Sequence, residues 1–205
     1  MFDQVSEPAS ISGYAPVPDA DLVKLVQSGN QLAFAELVKR YTGSIQMLAT
    51  RTLYSKSDAE DIVQTVLLKF WQKPYSWNSE KSSLSTWLYK VTLNACYDAS
   101  RSRTRRTELE RSGESEFMQP DVLDNLSDDE EVRVRNKLLL EGMKSLPHAQ
   151  KDAINLAIFV GLPQKDVASI LGVSVKAVES LLIRAKAKLR KYVNDESGGS
   201  LDEYK

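Results

Sequence analysis

The sequence predicts an all-α protein: two small helical domains joined by an acidic flexible linker, the second containing a helix-turn-helix. Three observations carry that expectation. Apolar residues recur at three- and four-residue spacing along most of the chain, and no segment sustains the alternation of a strand. Charge is divided into blocks. Lys/Arg minus Asp/Glu is 5 − 1 for residues 87–106, 1 − 10 for 107–131 and 12 − 4 for 132–193. Finally, residues 163–184 read PQKDVASILGVSVKAVESLLIR, two amphipathic helices around a three-residue turn containing Gly172.

The elements follow in order. Residues 1–18 are rich in Ser, Pro and Ala and read as a disordered arm. Asp19 or Asp21 is placed to cap a short helix carrying Leu22, Leu25 and Val26, ending near Gly29-Asn30. A second helix has Ala33, Phe34, Leu37, Val38 and Tyr41 on one face. A third covers about Ser44 to Tyr54. The fourth begins at the capping box Ser57-x-x-Glu60, with acids suited to the positive end of the helix dipole. It buries Ile62, Val63, Val66, Leu67 and Phe70 and stops at Pro74. Residues 74–84 form a polar loop, and a fifth helix runs from about Ser85 to Arg106. The linker spans 107–131, where acids dominate and apolar residues are few. The second domain spans 132–193, with helices at about 132–145, 147–159, 163–171 and 175–193. Residues 194–205 form a tail.

Composition removes several function classes. The chain has 205 residues, enough for a core without disulfides or metals. One cysteine excludes a disulfide framework and any Cys-based zinc site, and one histidine excludes most His-rich metal sites. No metal or cofactor is expected. The longest apolar stretch, Leu156 to Leu162, is far short of the roughly 20 residues that span a bilayer. The first ten residues lack the basic and apolar regions of a signal peptide, so a cytoplasmic protein without membrane insertion is expected.

Two constellations point to nucleic acid. In the helix-turn-helix, Ala168 is small where helices cross closely, and Gly172 permits a positive φ in the turn. Val167, Leu171, Val173, Val178 and Leu181 are the expected shared core. Ser174, Lys176, Glu179 and Ser180 then face outward toward a major groove, with Glu179 placed to accept from a cytosine amino group. Arg184, Lys186, Lys188, Arg190 and Lys191 continue the helix with no acid among them, which suits a phosphate backbone. The plainer reading of this segment is a helical hairpin.

The other constellation lies at 70–106. Seven of sixteen aromatic residues fall within 70–97, followed directly by RSRTRR. Rings beside a basic helix suit single-stranded DNA, because bases stack on rings while cations follow the backbone. Phe70, Trp71 and Trp87 are expected in the core, and Tyr75 and Trp77 exposed in the loop. Lys90, Asn94, Tyr97, Arg101 and Arg105 form a polar stripe opposite Leu88, Val91 and Ala95. On the helix before the loop, Asp61, Gln64 and Leu68 share a second exposed face, suited either to a partner helix or simply to solvent. His148 reads as a surface residue and Cys96 as a buried structural thiol.

DAEDIVQTVLLKFW (58–71) and STWLYKVTLNACYDASRSRTRR (85–106) resemble region 2 of an extracytoplasmic-function (ECF) bacterial sigma factor, of the sigma-70 family. LLLEGMKSLPHAQKDAINLAIFVGLPQKDVASILGVSVKAVESLLIRAKAKLRKYV (138–193) resembles region 4. The resemblance spans about 19–193. It implies an alternative sigma factor that binds core RNA polymerase and directs initiation at promoter DNA, with no active site of its own. Asp61, Gln64 and Leu68 would meet the polymerase clamp. Tyr75, Trp77, Lys90, Asn94, Tyr97, Arg101 and Arg105 would recognise and melt the −10 element. Ser174, Lys176, Glu179, Ser180, Arg184 and Lys188 would read the −35 element. It also implies an anti-sigma factor as a partner. Thr65, Lys151, Glu179 and Leu181 depart from the family's usual residues. A stand-alone helix-turn-helix regulator explains 163–193 equally well, but not the Asp61/Gln64 face or the aromatic loop.

Overall fold

The computed structural model describes residues 17–109 and 130–196. The expected arm, linker and tail lie outside the described residues, apart from their edges. All described regular elements are helical. The first helical domain comprises α1 (Asp19–Gln27), α2 (Gln31–Leu53), α3 (Lys56–Gln72) and α4 (Leu84–Leu109). The second comprises α5 (Glu130–Lys144), α6 (His148–Ile154) with a π-helical continuation (Asn155–Phe159), α7 (Gln164–Leu171) and α8 (Val175–Glu196).

The central strut of the first domain is α2, against which α1, α3 and α4 all pack. The two helices expected here, on either side of Gly43, are one. Glycine in a helix interior costs about 1 kcal/mol relative to alanine. Packing of Ala33, Leu37, Ile45, Leu48 and Ala49 outweighs that local preference. Asn30 caps the start, its side chain accepting from the Ala33 N–H at 3.0 Å. Arg40 ties α1 to α2, reaching Asp19 at 2.9 Å and Glu36 at 3.0 Å. Tyr41 also donates to Asp19. Buried Glu36 is thus neutralised rather than stranded.

The start of α3 differs from the capping-box expectation. Tyr54 closes α2 in the left-handed region (φ 56°), and Ser55 is the cap. The Ser55 hydroxyl accepts from the Asp58 N–H at 3.2 Å. The chain leaves α2 and enters α3 within two residues, so the cap falls two positions earlier than Ser57. Phe70 is buried and Trp71 and Trp87 are half-buried. Phe34 joins them, 4.8 Å from Trp71 between ring centroids, and Phe70 lies 5.7 Å from Trp87. Such pairs contribute about 0.5–1.5 kcal/mol beyond the area they bury.

In the second domain, α8 packs on α5, α6 and α7. A Cβ placed on Gly142 would meet Leu189 at 3.0 Å and Tyr192 at 3.1 Å, so glycine sets the close approach of α5 to α8. The buried stripe of α8 is Val178, Leu182, Ala185, Leu189 and Val193. Val167, Ala168 and Val178 are in the core as expected, and Gly172 adopts φ 67°. Val173, expected in the core, is exposed, and Leu171 and Leu181 are only partly buried. Leu182 takes the inward place assigned to Leu181, because the stripe steps 178, 182, 185, 189 along the helix.

The two domains touch. The α6–α7 layer lies against α2 and α4: α7 packs on α4, and the π-helical segment packs on α2.

Candidate nucleic-acid interface

The aromatic loop after α3 is anchored at both ends. It opens with a short 3-10 turn, Pro74–Ser76. Gln27 donates to the Pro74 carbonyl at 3.5 Å, and the Tyr75 hydroxyl donates to the Gln27 carbonyl at 3.1 Å. Tyr75 nevertheless leaves 74% of its surface in solvent, so its ring is available for stacking. Trp77 is not. It is 7% exposed, and its indole N–H donates to the Ser82 carbonyl at 3.1 Å. The sequence expectation of an exposed Trp77 is corrected: the ring folds beneath the loop, because apolar area and an N–H acceptor are both available there.

Behind the loop, α4 presents Lys90, Asn94, Arg101 and Arg105 on exposed positions. Thr92, Leu93 and Cys96 are buried, while Leu88 is buried and Val91 and Ala95 are half-buried. Burial pushes the Cys96 thiol up to about 12. Tyr97 departs from the expected open stripe. It is half-buried and its hydroxyl donates to Asp152 of α6. The His148 ring meets it edge-on, 5.4 Å between centroids. An open cleft of about 800 Å³ lies here, lined by Tyr97, Ser100, Arg101, Thr104, Arg105 and His148. Hydroxyl and guanidinium alternate at i, i+4, as Ser100-Arg101 and Thr104-Arg105, one helical turn apart. The two pairs lie about 6 Å apart along the axis.

On α3, Asp61, Gln64, Thr65 and Leu68 are all exposed while Ile62, Val63 and Val66 point inward. Leu68 is 56% exposed, an apolar side chain on a polar face. Asp61 also lines a smaller hollow of about 280 Å³ shared with Asp58, Ser100, Arg103 and Thr104. Arg103 donates to Asp58 across it, holding the carboxy-terminal part of α4 to the start of α3.

The helix-turn-helix keeps its expected outward face. Lys176, Glu179, Ser180, Arg184 and Lys188 are exposed. Ser174, expected to face DNA, is exposed but has a structural duty: its hydroxyl caps α8, accepting from the Ala177 N–H at 3.2 Å. Ile183 adds an exposed apolar side chain to α8, at 68%.

Sequence reasoning missed the residues between the domains. Arg51 of α2 lies 3.6 Å over the centroid of Phe159. Tyr54 receives Lys151 at 4.9 Å and Lys144 at 5.7 Å from its ring centroid. Burial lowers the Lys151 pKa and raises that of Asp152, the latter opposed by its bond from Tyr97 and by the charge of His148. A signal was present. Lys151, Asp152 and Asn155 are polar at i, i+1 and i+4 within an otherwise apolar run, a polar patch on an inward face. His148, expected as a plain surface residue, is exposed but faces Tyr97.

Among the described residues, no group of three His, Cys, Asp or Glu side chains is placed to hold a metal, and no helix is long and apolar enough to cross a membrane. Comparison with known proteins matches Sigma-70 region 2 to residues 37–106 and Sigma-70, region 4 to residues 136–189. The chain is 32% identical over 177 residues to RNA polymerase sigma factor NccH of Alcaligenes xylosoxydans xylosoxydans, covering 85% of this chain and 94% of that one. It is 30% identical over 174 residues to the ECF RNA polymerase sigma-E factor of Haemophilus influenzae, covering 82% and 91%. Among solved structures it resembles CnrH in complex with the cytosolic domain of CnrY, with TM-score 0.66, 25% identity, and coverage of 86% and 97%. It shares its fold with the sigma factor RpoE of Bartonella quintana, solved with the anti-sigma factor NepR, at TM-score 0.62, 24% identity, and coverage of 78% and 96%. Similarity across both helical domains goes beyond what a stand-alone helix-turn-helix regulator accounts for.

Proposed function

The chain belongs to the sigma-70 family, in its ECF branch, and from that premise we propose how its surfaces divide the work of an alternative sigma factor. It binds core RNA polymerase and directs promoter-specific initiation. The observation that supports this division is the coexistence, in one chain, of three separate exposed faces: Asp61/Gln64/Leu68 on α3, the Tyr75 loop with the basic side of α4, and the outward side of α8.

Residues 19–106 act as region 2 and 132–193 as region 4, joined by the acidic linker at 107–131. Asp61, Gln64 and Leu68 dock on a polymerase helix, Leu68 supplying an apolar contact beside the two polar ones. Tyr75 stacks an unpaired base of the −10 element. Lys90, Asn94, Arg101 and Arg105 follow its backbone, offsetting the few kcal/mol that unstacking a base costs. Trp77 supports the loop from below. Lys176, Glu179 and Ser180 read −35 base edges, while Arg184 and Lys188 hold phosphates. The protein acts by binding, not by catalysis, and works in the cytoplasm where the polymerase is. An anti-sigma factor, the partner the family resemblance implies, restrains it.

The deciding experiment is run-off transcription with purified bacterial core polymerase on a genomic fragment library, with and without this chain. Discrete new transcripts dependent on the chain are expected, and their aligned start sites define the two elements. Absence of both transcripts and core binding by pull-down overturns the reading.

A further inference from the structure

The run RSRTRR puts alternate arginines on opposite sides of α4. Successive residues are about 100° apart around an α-helix, so Arg103 points roughly opposite to both Arg101 and Arg105. Arg101 and Arg105 line the open cleft with Tyr97 and His148. Arg103 lines the smaller hollow, with Asp58 and Asp61 of α3. Ser100 and Thr104 border both and form the ridge between them. The basic run is therefore divided: two cations face the cleft and one is turned toward the acids that open α3.

This stretch stands beyond the apolar core. Cys96 is buried, but every residue from Ser100 to Arg105 is exposed. Several of its polar contacts stay within the helix. Thr104 donates to the Ser100 carbonyl at 3.1 Å, Arg105 to the Arg101 carbonyl at 3.4 Å, and Arg101 lies 3.8 Å from Asp98. Arg103 instead reaches out of α4 to Asp58. That anchor is itself well placed. The Asp58 N–H donates to the Ser55 cap at 3.2 Å, and its carboxylate stands in the first turn of α3, where the helix dipole favours negative charge. The Asp58 side chain is 28% exposed against 62% for Arg103, so the mobile partner is held on the fixed one.

An exposed pair of this kind adds little to global stability. Its consequence is local, because it sets the direction of the last turns of α4, which carry Arg101 and Arg105. We propose that Arg103 is a positioning residue for promoter opening: held on Asp58, it does not touch DNA, and it fixes the end of α4 so that Arg101 and Arg105 face the −10 strand. The positioning role rests on the −10 reading of α4; the hold of the ion pair on α4 does not. Asp58 separates this role from a purely electrostatic one. A carboxylate beside a DNA-binding helix repels phosphate, so its neutralisation tightens binding if charge alone acts. As the anchor of Arg103, its neutralisation loosens binding.

The test is a cycle of Asp58→Asn, Arg103→Gln and the two together, with Arg103→Lys as the conservative variant. All are made in the full-length chain and checked for folding by circular dichroism. Affinity of the holoenzyme for an A·T-rich single-stranded 12-mer is measured by fluorescence anisotropy over a range of salt, at saturating core polymerase. Hydrogen exchange of the peptide covering residues 100–105 is followed in the free chain by mass spectrometry. Asp58→Asn and Arg103→Gln should each weaken binding about two- to fivefold, the range an exposed pair supports. The double variant should be no weaker than either single one, and Arg103→Lys should retain most of the affinity. The salt slope should stay at its wild-type value, and exchange at 100–105 should rise in both single variants. A slope lowered by about 1 in Arg103→Gln, with tighter binding in Asp58→Asn, makes Arg103 a phosphate contact and overturns the proposal. Wild-type affinity in both single variants overturns the positioning role. Unchanged exchange overturns the hold of the ion pair on α4. Failure of the −10 reading is seen separately, as holoenzyme whose promoter opening is indifferent to Arg101→Ala with Arg105→Ala.

Discussion

Trp77 and Tyr75 stand two residues apart in one loop, one buried and one exposed, and a pair of substitutions separates the consequences. Trp77 is 7% exposed with its indole N–H bonded at 3.1 Å to the Ser82 carbonyl. Trp77→Phe keeps an aromatic ring but removes that bond. It should cost about 1 kcal/mol for the hydrogen bond, and up to about 1 more for the smaller ring. For a domain of this size, about 1 kcal/mol lowers Tm by about 4–8 °C. Trp77→Ala should cost about 3–5 kcal/mol. Tyr75, 74% exposed, should behave inversely. Tyr75→Ala should leave Tm nearly unchanged, since exposed substitutions stay within about 0.5 kcal/mol. It should weaken binding of −10 single strand by the roughly 1–3 kcal/mol of one stacked base, near tenfold per 1.4 kcal/mol. The assays are thermal unfolding by circular dichroism and fluorescence anisotropy with a −10 oligonucleotide in the presence of core polymerase. The reasoning is refuted if Trp77→Phe melts like wild type yet loses tenfold or more in oligonucleotide binding.

Asp61→Ala with Gln64→Ala should weaken competition for core polymerase at least tenfold without shifting Tm, since both side chains are solvent-facing; equal competition would remove this face from the interface. Arg101→Ala with Arg105→Ala should lower the slope of log affinity against log salt by about 2, one per phosphate contact. Gly142→Ala should destabilise the second domain by about 1–3 kcal/mol, because a methyl group there meets Leu189 and Tyr192; this is read as a lower Tm. Cys96, its folded thiol raised to about 12 by burial, should resist iodoacetamide at pH 8 until the chain unfolds. Because the folded pKa exceeds the unfolded value of about 8.5, this group's contribution to stability is full below about 8.5. It declines as pH rises toward 12, which denaturant titrations at pH 7.5 and 10 would reveal as a loss.

Much of the molecule was legible in advance, for local reasons. Helical periodicity marks which face of a segment is inward, so the buried stripe of α3 and the exposed Asp61, Gln64 and Leu68 follow from spacing alone. Gly172 and Ala168 identify the helix-turn-helix because steric limits at a tight turn and a close crossing admit few residue types. Local signals misled where a longer-range contact outweighed them. The sequence reads as two helices, one through Tyr41 and one from about Ser44, but packing on three sides makes α2 continuous from Gln31 to Leu53. The inward position on α8 went to Leu182 rather than Leu181, since the stripe's phase is set by what α8 packs against.

The sequence by itself determined the all-helical class, most of the amphipathic faces, the two basic blocks and the family. Tertiary structure alone decided which of the outward groups are free. Tyr75 and Trp77 have the same local context, and only the path of the loop puts one ring in water and the other over Ser82. Tyr97 and Asp152 lie 55 positions apart, and their hydrogen bond exists because two domains meet. Periodicity states that a side chain leaves its helix in a given direction; it carries no information about what stands on the other side.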